Sequence, residues 1–197
     1  MRLKFLGTEI YISFLFTAVV TLMLACDKTG LALPVMFSVF VHEVGHLFVM
    51  WLLNCAPKSI RLIPASVQIT KGIGKRYQND ILIALAGPAV NILLFGTLYL
   101  NYLVFKNQIT LIYALINLIV ALFNLLPVNG LDGGTVIFSL IAEKTDINRA
   151  NVILKIITLV ISLGVLTVAV IMTVKGKINI SLYIISLYLF TGIIIKM

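Results

Sequence analysis

Residues 81–105, ILIALAGPAVNILLFGTLYLNYLVF, run for 25 consecutive positions without a charge. A helix of that length exceeds the ~30 Å of hydrocarbon in a bilayer at a rise of ~1.5 Å per residue. Similar runs occupy 10–25, 31–53, 109–126, 156–174 and 178–195, each apolar on every face as a membrane helix should be. The sequence therefore predicts an all-α polytopic membrane protein of six transmembrane helices. A 61% hydrophobic and 11% charged composition, with a mean hydropathy of +1.13, leaves no stretch able to fold as a separate soluble domain. One integral membrane domain is expected over 1–197.

The net charge of +8 does not point to nucleic acid, because the basic residues sit in short loops between spans. With the N-terminus in the cytoplasm, that side holds Arg2, Lys4, Lys58, Arg61, Lys71, Lys75, Arg76, Lys144, Arg149, Lys155 and Lys196. The other side holds Lys28, Lys106, Lys175 and Lys177, an eleven-to-four bias that sets the orientation. Cys26 and Cys55 fall near opposite ends of successive spans and are expected as two free thiols. The N-terminal run ending in LMLAC approximates a lipoprotein signal, but Met23 replaces the usual leucine, so a retained first helix is expected.

Two interruptions carry polar residues. NCAPKSIRLIPASVQITKGIGKRYQND, between the second and third spans, contains KSIRLI and SVQIT, which read as a short membrane-associated β-hairpin broken at Pro64. LPVNGLDGGTVIFSLIAEKTDINRAN, between the fourth and fifth, reads as a turn, a short amphipathic helix over 134–143 and a polar link.

The stretch FSVFVHEVGHLFVMW, residues 37–51, places His42, Glu43 and His46 inside a span. An ionisable group at that depth is costly and is kept with a partner and a task. His42 and His46 are one helical turn apart, so both imidazoles leave one face and can share a tetrahedral metal. Glu43 is rotated by about 100° from His42, beside the open coordination position. This is the H-E-x-x-H arrangement of zinc hydrolases, two ligands and a general base. The alternative is two core histidines and a buried acid. Against it, these are the only two histidines in the chain, and Phe40, Val41, Val44, Leu47 and Phe48 offer an idle carboxylate no partner.

A catalytic zinc usually takes three protein ligands. With no histidine left, a carboxylate is expected. Glu9, Asp27, Asp80, Glu143 and Asp146 belong to termini or polar loops, which leaves Asp132 in NLLPVNGLDGG, just past the fourth span on the side assigned to His46. Its alternative use is to cap the following short helix. Asn91 and Asn124, uncharged and within the core, are candidates to orient substrate or hydrogen-bond its backbone. Interhelical hydrogen bonding is their alternative use. Gly87-Pro88 is expected to kink the third helix and permit close packing.

HEVGH within a span, AGPAVN opening a later one and NLLPVNGLDGG after the next resemble the site-2 protease family of intramembrane zinc metalloproteases, peptidase family M50. The resemblance covers about 31–145, a three-helix catalytic core, and is greatest to the bacterial branch containing the stage IV sporulation protease. It implies His42, His46 and Asp132 as ligands of one Zn2+ ion, Glu43 as catalytic base, and hydrolysis within or near transmembrane segments of membrane-tethered proteins. It further implies a transcription-factor precursor among the substrates, a multi-pass bacterial cell membrane location and an active site toward the cytoplasm. The family's PDZ and CBS domains have no counterpart in these residues. A bilayer-bound substrate must be locally unwound, and KSIRLI or SVQIT is the expected edge for β-addition, with KGIGKR as a positive-inside anchor. A metal transporter or sensor is the competing class. It gives a non-ligating Glu43 no evident task.

Overall fold

The computed structural model describes residues 2–5, 8–55, 57–63, 66–71 and 77–194. Most of KGIGKR, residues 72–76, and the end of the last expected span lie outside them. The chain divides into two compact units, Met1–Leu122 and Phe123–Met197.

The first unit begins with β1 (Arg2–Phe5) and β2 (Thr8–Ile12), followed by α1 (Phe14–Cys26) and α2 (Ala32–Leu52). Then come β3 (Pro57–Ile63), β4 (Ser66–Lys71), α3 (Tyr77–Phe105) and α4 (Gln108–Asn124). The strands form a sheet in the order β1-β2-β3-β4. β3 pairs antiparallel with β4 and parallel with β2. Having neighbours on both sides, KSIRLI is not an edge, and that position falls to β4 and β1. The two N-terminal strands were not expected, and they take residues 10–12 from the first apolar run. At 13 residues α1 is about 20 Å long, shorter than a straight span needs.

Three helices among the described residues are long and apolar enough to cross a membrane: α2, α3 and one in the second unit, Ile147–Val174. Shorter apolar helices cover Thr17–Cys26, Gln108–Asn124 and Ile180–Ile193. Asp27 separates α1 from α2. Its carboxylate accepts the backbone N–H of Thr29, Gly30 and Ala32 at 2.8, 3.0 and 2.9 Å, turning the chain at Gly30, whose φ is +71°. Pro34 then lies in the first turn of α2, where its missing N–H breaks no ladder bond.

Burial in α2 follows one stripe, Ser38, His42, Gly45, His46 and Met50, while Phe37, Phe40, Phe48 and Trp51 are exposed. Small and polar groups thus face inward and large apolar ones outward, as expected of a helix in lipid. α3 offers the matching stripe of Ile83, Ala84, Ala86, Gly87, Pro88 and Asn91. The two helices approach closely because Gly45 has no Cβ: one would stand 2.9 Å from the Ala86 carbonyl oxygen. α3 runs unbroken through Pro88.

The second unit contains α5 (Asp132–Lys144), α6 (Ile147–Val174) and α7 (Ile180–Ile194). α6 starts nine residues before the predicted span, through the expected polar link. Ala150 and Leu154 are buried there one turn apart while Asn148 and Arg149 are exposed, so an amphipathic first turn extends an apolar helix. α6 ends at Gly176, φ +75°, whose N–H and that of Lys177 return to Thr173 and Met172 carbonyls. The core of this unit is Val128, Leu131 and Leu189, flanked by Ile161, Val165, Ile185 and Tyr188.

Candidate metal centre

His42 and His46 are both buried, on the face of α2 that meets α3. Their Nε2 atoms face each other at 3.1 Å. Each Nδ1 has its own partner: His42 Nδ1 lies 3.1 Å from Asn91 Oδ1, and His46 Nδ1 lies 2.7 Å from the Ile83 carbonyl oxygen. A carbonyl oxygen can only accept, so each ring, when neutral, holds its proton on Nδ1 and presents a lone pair from Nε2. Two facing lone pairs at this distance repel unless a cation lies between them. Two nitrogens each ~2.05 Å from one tetrahedral zinc would be about 3.3 Å apart. The pair fits a shared ion.

Space for that ion comes from α3. A Cβ on Gly87 would stand 2.5 Å from His46 Nε2 and 2.7 Å from His42 Nε2. Any side chain there would occupy the coordination position itself. The role is more specific than the kink and close packing expected from Gly87-Pro88.

Glu43 follows His42 on α2 and is half-buried, at the edge of the imidazole face. Within the first unit the structure thus brings together His42, His46 and Asn91. Asn91 is fully buried. Its Nδ2 donates to the Ser38 carbonyl at 3.2 Å, Ser38 Oγ at 2.7 Å and Asn117 Oδ1 at 3.1 Å. Its hydrogen bonds therefore run to α2, to α4 and to a ligand-type histidine. Ser38 and Asn117 were not singled out from the sequence, although Ser38 lies one turn before His42 on the same face.

Asp132 and Asn124 belong to the second unit. Asn124 is the last residue of α4 and Asp132 the first of α5, both half-buried. Leu131, not Asp132, holds the N-cap position. Behind Asp132, Gly133 and Gly134 lie so close to the carbonyls of Leu125, Leu126 and Val128 that a Cβ on either would meet backbone. The turn is anchored at Asn129: its N–H donates to Thr158 Oγ1 at 3.0 Å, and its Nδ2 to the Gly192 carbonyl at 2.8 Å. α6 and α7 together thus hold the segment that presents Asp132.

The model of peptidase family M50 matches residues 101–171, which include Asp132 but not the histidine pair. The chain is 28% identical to the zinc metalloprotease MJ0392 of Methanocaldococcus jannaschii, over 93% of this chain and 56% of that protein. It is 32% identical to the putative zinc metalloprotease sll0528 of Synechocystis, over 62% of this chain and 34% of the relative. The chain thus spans about half the length, or less, of these curated relatives. Its fold is similar to the solved site-2 protease from Methanocaldococcus jannaschii, with a TM-score of 0.74 and 22% identity over 98% of this chain and 93% of that one.

Proposed function

We propose that this chain belongs to peptidase family M50 and is a site-2-type intramembrane protease, hydrolysing peptide bonds within or near the transmembrane segments of membrane-tethered proteins. The observation that carries this reading is the pair of inward-facing Nε2 atoms, 3.1 Å apart, on the same helix as Glu43 and within an apolar span. A zinc ion held by His42, His46 and Asp132 would supply Lewis acidity, bringing the pKa of a water toward about 7 and polarising the scissile carbonyl.

The protein's own residues supply the rest. Glu43 accepts the proton of the attacking water and returns it to the leaving amine. Asn91 and the Ile83 carbonyl keep both imidazoles in the ligating tautomer. Asn124 orients the substrate backbone, and the β4 edge holds an unwound substrate strand by main-chain pairing. Both units serve one protease domain in which α1, α4 and α7 complete six spans, the bilayer thinning around these shorter helices.

The eleven-to-four distribution of Lys and Arg turns the site toward the cytoplasm of a bacterial cell membrane. The branch containing the stage IV sporulation protease makes a membrane-tethered transcription-factor precursor the first substrate to try. Co-expression with a panel of single-span substrates, read by product size, tests the reading. Cleavage of at least one, lost in His46→Ala, is expected. No cleavage of any by a zinc-loaded protein would turn the assignment toward a metal transporter or sensor.

A further inference from the structure

The hydrogen bonds around Asn91 have only one consistent direction. Asn117 Nδ2 donates to the Tyr113 carbonyl at 2.9 Å, one turn back on α4, which leaves Asn117 Oδ1 as an acceptor. Ser38 Oγ spends its single proton on that oxygen at 3.0 Å and must therefore accept from Asn91 Nδ2 at 2.7 Å. Asn91 Nδ2 also reaches the Ser38 carbonyl and Asn117 Oδ1, both acceptors. Rotating the Asn91 amide by half a turn would set its oxygen against those two oxygens. Its Oδ1 is accordingly fixed toward His42 Nδ1, which must donate.

Burial makes this direction matter. Ser38 and Asn91 are 0% exposed and Asn117 6%, so no water competes for these groups. His46 needs no such device, because its Nδ1 partner is the backbone carbonyl of Ile83. An asparagine side chain could present either end to His42. With Nδ2 toward the ring, the proton would move to Nε2 and remove the lone pair a metal requires.

We infer that Ser38 and Asn117 are positioning residues for the metal centre: acting through Asn91, they fix His42 in the tautomer whose Nε2 can bind a cation. The inference rests on the zinc reading for its purpose but not for its test. In metal-free protein with 15N-labelled histidine, both rings should show the Nδ1–H tautomer. Ser38→Ala and Asn117→Ala should each raise the Nε2–H fraction of His42 and leave His46 unchanged. Zinc affinity, by competition with a chelator, should fall by about 10–100-fold. Ser38→Thr, which retains the hydroxyl, should keep the wild-type tautomer and affinity. An unchanged His42 tautomer in both alanine variants would overturn the relay. A tautomer shift in a protein that binds no zinc would uphold the relay and remove the metal reading.

Discussion

A Cβ on Gly87 would stand 2.5 Å from His46 Nε2. The metal position is thus bounded by a missing side chain on α3 as much as by the two imidazoles of α2. Gly87→Ala should strip zinc from the purified protein and, by overpacking, cost about 1–3 kcal/mol of stability. Gly96→Ala is the control on the same helix, since a Cβ there meets nothing within 4 Å. It should raise stability slightly, by no more than about 1 kcal/mol, through helix propensity. Elemental analysis and thermal unfolding in detergent check both. Full zinc in Gly87→Ala would move the ion away from this face.

Asp27 gives a pH signature. The N–H of Ala32, then the hydroxyl and N–H of Thr29, hold its carboxyl down to about 2 from an ordinary 3.8. A depressed carboxylate contributes stability above its unfolded pKa and loses it as pH falls through the folded one. The difference in melting temperature between wild type and Asp27→Ala should be constant above about pH 5. It should shrink as pH drops from near 4 toward 2, the window set by those two values. A difference that persists at the acid end would mean the turn is held by something other than this carboxylate.

The orientation can be read with reporter fusions. A reporter joined after Lys144, at the end of α5, should behave as cytoplasmic, and one after Lys106, at the end of α3, as external. The reverse pattern would put the histidines near the outer surface and exclude a cytoplasmic-facing active site.

Asp132→Ala should remove most of the bound zinc, as should His46→Ala, because a catalytic zinc needs three protein ligands. Asp146→Ala should leave zinc content at the wild-type level. Asp146 is the N-cap residue of α6, and its loss bears on the helix start. Full zinc occupancy in Asp132→Ala would send the third-ligand role elsewhere.

The apolar runs and the H-E-x-x-H spacing were legible because each is a local property: hydropathy sets a span, and one turn of helix sets which side chains share a face. The predicted 31–53 and 81–105 lie close to α2 and α3 for that reason. The start of α6 was not legible, since INRANV is polar by composition and becomes helical by burying Ala150. The strand nature of β2 depends on its parallel pairing with β3, some fifty residues away in the chain, and β1 is strand only as the hairpin partner of β2, so neither is legible from its own few residues. The partners of Asn91 were hidden for the same reason: Ser38, Asn91 and Asn117 come from three helices, and only the helices' rotation shows that they meet. An asparagine in a span announces a hydrogen bond without saying to what.

The proposed mechanism makes Glu43 a base beside a metal and not a ligand of it. Glu43→Gln keeps side-chain size and hydrogen-bonding capacity and removes the basic carboxylate. The decisive measurement is the rate of cleavage of a membrane-embedded substrate by this variant, with zinc content determined on the same sample. Zinc near the wild-type level with cleavage reduced by about 10²–10⁴-fold, the range of a lost general base, is the predicted result. Wild-type cleavage by zinc-loaded Glu43→Gln protein would contradict it.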